Sequence, residues 1–497
     1  MSLYDIYQSS ELHSNPFCMD DGEGKNAFSP PFSPDISSSM QYLETILSDE
    51  FHPDSAIHDI SPLIDDFHID FDELDCIFNG DMPKPLDEYS DEWNLYDAMN
   101  VCEPPTDMMT SIVLPFEGKE VDNQLFLSHL LLAYAEAMDN QETELPEVIS
   151  QRIIQRVNPV GGIVERVLYY MFQNLNKKPD YLKQESIKNF YLAFKAFYQI
   201  FPYGKFAHFV ENFAILEAMP KDVEIINLID FEIGEGIQWA SFMEAIKYQR
   251  KEIRIISIKF NEEDESIPLR WKFEETKRRL CDHGASHGLK VKVKEVGLQD
   301  LESVMKNIDY GRKSWYIFNC NVGLPHMGRI RNKNDVFEFL TLAKNFLYNV
   351  TCYYTTKGII TYGDGDVRQS NTTCKSYSSF LDGIFAHYQA LLESMEFNFP
   401  SHLGEARTSL ECLFVAPYIS SWDRKWEEMK QFDELELELG VSLEGWNLSE
   451  TSLVEAKELV KESVKSPYGV RIEGEKKNEM VLRWNSVQMV RVCCWKI

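Results

Sequence analysis

One aspartate and two closely spaced glycines, Asp230 and Gly234-Glu235-Gly236, are the residues of this chain best placed to do chemistry. They stand where an apolar run, Ile226-Asn227-Leu228-Ile229, gives way to a helical pattern. Glycines there let the backbone approach a bound group, and the N–H groups that open a helix favour polar or anionic ligands. The turn could therefore cradle a dinucleotide or S-adenosylmethionine, with Asp230, Gly234 and Gly236 as the cofactor-binding candidates. Glu262, Glu263 and Asp264 follow the next apolar run and could serve a ribose. The spacing departs from G-x-G-x-x-G, because its third position holds Trp239, whose bulk prevents close helix–strand contact. No nucleophile, base and acid combine among the 11 histidines. His326 follows a strand end, where sites often sit, but no partner for it can be named. His208 lies on an amphipathic helix and reads as a satisfied or half-exposed side chain. The 10 cysteines show no C-x-x-C pair and no metal-ligand spacing. No catalytic residue, metal or cofactor is assigned.

The elements that must hold this turn are legible around it. Trp239, Phe242, Met243 and Ile246 fall at i, i+3, i+4 and i+7, an apolar stripe on one helix face. A second β-rich run, Ile253 to Ile258, follows at once. Strand, helix and strand in so short a span make a βαβ unit, which requires a parallel sheet. Strands are predicted at 225–230, 253–258, 290–296, 314–319 and 356–362, joined by helices near 236–250, 268–285, 299–307 and 334–348. Before them come helices near 122–139, 144–156, 160–176, 183–200 and 206–219, a helical layer preceding the sheet. Short strands near Tyr468, Glu479 and Met489 would add an antiparallel edge. The expected fold is α/β: a Rossmann-like, mostly parallel sheet with helices on both faces and a helical cap.

Of the chain's 497 residues, the first 115 carry 25 Asp and Glu against two Lys, so most of the formal charge of −31 lies there. Such a composition opposes compaction, and residues 1–115 are expected to be disordered. Within them, Ile64 to Phe78 interleaves acids with Phe67, Phe71, Leu74 and Phe78, the composition of an amphipathic activation segment. The start of the chain has no basic, apolar leader, and no apolar stretch reaches membrane-spanning length, so a soluble, reduced, intracellular setting is expected. Leu127-Ser128-His129-Leu130-Leu131 sets three leucines along one helix edge. Leu127, Leu130 and Leu131 would suit a groove on a partner, and core packing explains the same spacing equally well. Basic residues gather between Lys247 and Lys333, but acids share those windows and no DNA-reading motif is present. Contact with DNA is expected to be indirect or weak.

The wording Ile229-Asp230-Phe231-Glu232-Ile233-Gly234-Glu235-Gly236-Ile237-Gln238-Trp239 resembles the central motif of plant GRAS-domain transcriptional regulators. The resemblance spans 116–497: Leu125 to Met138 is similar to the opening leucine-rich helix, and Phe318-Asn319-Cys320 with Leu324-Pro325-His326 to the following motif. Arg407, Leu410, Glu411, Trp426, Trp484 and Trp495 are similar to the C-terminal region. Within the family the wording is most like the nodulation signalling pathway 2 branch. Asn227 stands where the family has histidine, and Cys493-Cys494-Trp495 where it has Ser-Ala-Trp. The resemblance implies a methyltransferase-like fold with an added helical cap: 116–220 the cap, 221–497 the α/β core. It also implies a nuclear regulator of transcription that is not an enzyme. Such a protein associates with other GRAS-domain proteins and reaches the transcription machinery through its acidic arm. The alternatives are an S-adenosylmethionine-dependent methyltransferase on the same sheet, or an interaction scaffold without transcriptional output.

Overall fold

Ile225–Asp230 forms β1, buried along its whole length. Its side chains divide between the faces: Ile226 and Leu228 enter one hydrophobic core, Ile229 another. A strand buried on both sides needs helices above and below it, which parallel crossovers supply. In a computed structural model of the chain, β2 (Glu252–Lys259), β3 (Lys290–Gly297), β4 (Ser314–Val322) and β5 (Gly358–Asp364) join β1 in parallel, in the order β3-β2-β1-β4-β5. Residues 123–172, 190–260, 273–306, 313–327, 331–350, 357–366, 376–399, 407–408, 410–426, 443–461 and 466–496 are described. The acidic arm, with Phe67, Phe71, Leu74 and Phe78, lies outside them, as do Glu262, Glu263 and Asp264.

The sheet continues antiparallel. β6 (Glu444–Gly445) and β9 (Val487–Lys496) pair, β9 lies against β5, and β8 (Glu479–Trp484) and β7 (Tyr468–Glu473) extend the edge. Asn485, at φ 52°, opens the two-residue turn between β8 and β9. Asparagine tolerates that left-handed conformation, which tight hairpins need. The expected antiparallel edge is present, and the whole order is that of a Rossmann-like, methyltransferase-like sheet.

Helices α1 (Asn123–Asp139), α2 (Leu145–Ile154) and α3 (Ile163–Phe172) build the cap, followed by α4 (Phe190–Ile200) and α5 (Pro202–Ala218). α5 begins four residues before the expected position because Pro202 is itself tolerated in the first turn. α6 (Ile237–Ala245) and α7 (Phe273–Ser286) share the cap's face of the sheet; α8 (Leu298–Lys306) and α9 (Lys333–Asn349) cover the other. α6 ends sooner than its apolar stripe implies, since Tyr248 and Arg250 take positive φ and turn the chain into β2. α10 (Tyr377–Asn398), capped by the Ser376 side chain, a π-helical turn at Glu411–Val415, α11 (Ala416–Ile419) and α12 (Glu450–Leu459) complete the described elements.

Four charged side chains fasten the cap to the body. Arg166 of α3, 1% exposed, reaches Glu396 of α10 at 2.7 Å and Glu411 of the π-helical turn at 3.2 Å. Arg407 touches the same two carboxylates at 3.2 Å each. Two cations shared by two acids leave no buried charge uncompensated, which matters because an unpaired one costs several kcal/mol.

Candidate functional site

The strand order reverses between β1 and β4, and in open α/β sheets the crevice outside the carboxyl ends at that point takes the ligand. The β1–α6 turn lies there. Gly234 and Gly236 have φ of +54° and +78°, so both need glycine's freedom. A side chain on Gly236 would also press on Leu280 of α7. The turn is tied down on all sides. The Gly234 carbonyl accepts from the Thr276 hydroxyl at 3.0 Å, and Arg279 binds Glu235. Arg331 grips Glu232 with two hydrogen bonds of 2.8 and 2.6 Å while lying 4.0 Å over the Phe260 ring. Both glutamates that a ligand would meet are thus neutralised from within the chain.

Asp230 is occupied as well. Its carboxylate accepts the Trp239 indole N–H and, at 2.9 Å, the Glu232 amide. Burial pushes its pKa up to about 7, against these two hydrogen bonds. Trp239, 1% exposed, packs into the core on the cap's face of the sheet, as its size and spacing imply.

Behind the turn lies a buried polar network that the sequence reading did not assemble. Gln238 donates to Glu211 at 2.8 Å, and Asn321 donates to the same Glu211 oxygen at 2.9 Å. Asn319 donates to Gln238 at 3.1 Å and accepts from Thr361 at 2.8 Å. Burial raises the Glu211 carboxyl well above its usual range, against the hydrogen bonds from Asn321 and Gln238. A side chain on Gly363 would collide with Asn321 and Glu211, so the network fits only against bare backbone. Polar residues at the carboxyl ends of otherwise apolar strands were the available signal: Asn319, Asn321 and Thr361.

His208 and His326 meet beside this network with ring centres 5.4 Å apart. His208 shares a 2.8 Å hydrogen bond with the Tyr198 hydroxyl, so it is satisfied and buried rather than half-exposed. His326 sits against Gly204 of α5, where an added Cβ would lie 2.6 Å from its Nδ1. Burial holds His208 well below its ordinary pKa and takes His326 down to about 3, so both are uncharged at neutral pH.

What remains open between the histidines, Gly234–Gln238 and Asn321 is a cavity of about 30 Å³. That is room for about two water molecules. A small-molecule site typically needs roughly 300–1,000 Å³. The crevice that a cofactor would fill is closed by α5, the short 3₁₀ turn Pro325–Met327 and the locked glycine turn. A wider hollow of about 490 Å³ opens at the opposite, amino-terminal end of β1 and β2. Its Lys251 is already committed, donating to the Val223 carbonyl at 2.6 Å.

The leucine edge of α1 does not face outward as a unit. Leu127 and Leu131 are buried in the core and Leu130 is half-buried. The outward apolar residues of this region are Leu125 and Leu132 on α1 and Leu145 and Val148 on α2. The basic windows are largely compensated too. Lys277 pairs with Glu274, Lys290 and Lys292 with Glu252, and the buried Arg279 and half-buried Arg331 with glutamates of the turn. Among the described residues no cluster of His, Cys, Asp or Glu has the geometry of a metal site, and no helix is long and apolar enough to cross a membrane.

Sheet, cap and sealed crevice define a Rossmann-like α/β domain whose ligand position is taken by its own side chains. The GRAS domain family matches residues 127–496, and the chain belongs to that family. It is 26% identical over 408 residues to Protein NODULATION SIGNALING PATHWAY 2 of Lotus japonicus, covering 75% of this chain and 76% of that protein. Scarecrow-like protein 26 of Arabidopsis thaliana is 24% identical over 436 residues, with 81% and 84% covered. Among solved structures, SCL7 of Oryza sativa shares the fold with a TM-score of 0.52 at 18% identity, over 74% of this chain and 99% of that one.

Proposed function

We propose that this chain is a plant nuclear regulator of transcription that works by association with other GRAS-domain proteins, within nodulation or mycorrhizal signalling, and not by catalysis. The observation that carries the reading is the sealed crevice in a chain of this family. The turn that would hold S-adenosylmethionine is clamped by Arg279 and Arg331, and only about 30 Å³ is left beside it. Association has outward apolar residues available in the cap: Leu125, at 56% exposure, and Leu132, at 49%, on α1, with Leu145 and Val148 on α2. The arm of residues 1–115 contacts the transcription machinery through Phe67, Phe71, Leu74 and Phe78, and promoters are reached chiefly through the partner.

The leucines separate packing from partnering. Leu127→Ala and Leu131→Ala will each lower stability by about 2–5 kcal/mol, the cost of emptying a buried leucine site. Leu125→Asp with Leu132→Asp will leave the melting temperature unchanged while abolishing co-purification of GRAS-domain proteins from plant nuclei. Undiminished co-purification in that double variant would remove the cap surface from the proposal. Titration with S-adenosylmethionine in a calorimeter will give no binding. A micromolar Kd, lost on Gly234→Val, would put the methyltransferase alternative first.

A further inference from the structure

The sheet begins at β3, and among the described residues no strand pairs with its outer side. This edge has a two-faced pattern. Lys290-Val291-Lys292-Val293-Lys294 alternates strictly, so three lysines share one face and two valines the other. Lys290 and Lys292 are 66% and 57% exposed, while Val293 is buried against the core. Arg254, in register with Lys292, adds a fourth cation, and Lys290, Lys292 and Arg254 all pair with one acid, Glu252. Lysines on an edge strand commonly serve only to repel other strands. Here, however, the chain carries a segment of complementary pattern.

Asp66-Phe67-His68-Ile69-Asp70-Phe71-Asp72 alternates with the same period of two. Three acids and a histidine fall on one face, and Phe67, Ile69 and Phe71 on the other. We propose that residues 66–72 add to the outer edge of β3 as a further strand, acids beside Lys290, Lys292 and Lys294, apolar groups beside the valines. Backbone hydrogen bonds along the edge supply affinity, and the matched alternation fixes the register, because a one-residue slip would put acids on the valine face. The tether allows it. About 50 residues separate Asp72 from the start of α1, and a random coil of that length has an end-to-end distance of roughly 40 Å r.m.s.. A domain of this size has a radius of gyration of about 21 Å, so the edge is within reach. A linker of that length gives an effective concentration on the order of millimolar, so a weak strand contact suffices. The inference does not depend on the segment's role in activation.

Hydrogen–deuterium exchange on the full chain tests it. Amides of 290–296 that do not bond to β2 will exchange about tenfold more slowly in the wild type than in Ile69→Pro, which removes one ladder N–H and keeps every charge. Asp66→Asn, Asp70→Asn and Asp72→Asn together, or high salt, will give the same loss of protection. Reversing both sides, with Asp66→Lys, Asp70→Lys and Asp72→Lys combined with Lys290→Glu, Lys292→Glu and Lys294→Glu, will restore it. Equal exchange in wild type and Ile69→Pro overturns the proposal and leaves the lysines as edge guards. So does protection lost with the charges but not with proline, since that is attraction without strand pairing. Protection that rises with protein concentration overturns it as well, by assigning the contact to a second copy.

Discussion

Trp239→Ala will cost the domain roughly 3–5 kcal/mol of unfolding free energy, read as a shift in the urea midpoint. Two losses combine. The indole is 1% exposed and packs edge-on against Phe242 with ring centres 6.0 Å apart, so its removal opens a large hole that the neighbouring strands cannot close. The indole N–H also satisfies Asp230, whose carboxyl would lose that donor while keeping the Glu232 amide and Asn319. Trp239→Phe separates the two losses. It keeps most of the bulk and removes the donor, and should cost about 1–3 kcal/mol, the penalty for a buried acceptor left short of a partner. If Trp239→Ala shifts stability by less than a Trp239→Phe change, the indole is not the filler of this crevice. The same residue is why the turn cannot be a tight dinucleotide cradle: the place where a small residue would let helix and strand close together is taken by the largest side chain.

How much of this could be read from the chain follows from the range of each interaction. β1 falls at 225–230 as its apolar run implies, and its successors come within three residues at either end, because the central strands are written locally as mostly apolar runs and the edge strand β3 as a strict Lys-Val alternation. Trp239 was legible for the same reason, since its spacing with Phe242 and Met243 fixes its face. The leucine motif was ambiguous by nature: i, i+3 and i+4 is the spacing of a core stripe and of a docking edge, and only the packing of α1 resolves it in favour of the core for Leu127 and Leu131. The closing of the site was not legible. Glu232 meets Arg331 across 99 residues, Glu235 meets Arg279 across 44, and Gln238 meets Asn319 across 81. Each residue alone reads as a solvated charge or amide. Their meaning arises when β1, β4, α5 and α7 are set side by side, and the wording shared with the family stood in for that knowledge.

On acidification from pH 7 to pH 5, two sets of buried groups will push stability in opposite directions, and single substitutions will expose each. Burial takes His326 down to about 3, and His283 and His387 down to about 4. In the unfolded chain each titrates near 6.5, so the unfolded form takes up the proton first. Their contribution is complete above about 6.5 and is lost as the pH falls toward 3–4, amounting to roughly 2 kcal/mol per histidine by pH 5. Glu211 and Asp230 act with the other sign. Their folded pKa values are raised, Asp230 to about 7, so the folded form holds the proton that the unfolded form has released. They stabilise the fold as the pH drops toward 5, and offset part of the histidine loss. His326→Gln removes one term of the first set: its fall in unfolding free energy between pH 7 and pH 5 should be smaller than the wild type's by roughly 2 kcal/mol. Glu211→Gln keeps the donor-accepting oxygen and removes the proton, so its fall should be steeper than the wild type's. Urea midpoints at the two pH values decide it. Parallel slopes for wild type and both variants would mean that His326 and Glu211 are already reached by water, and that the crevice between α5 and β4 is open rather than sealed.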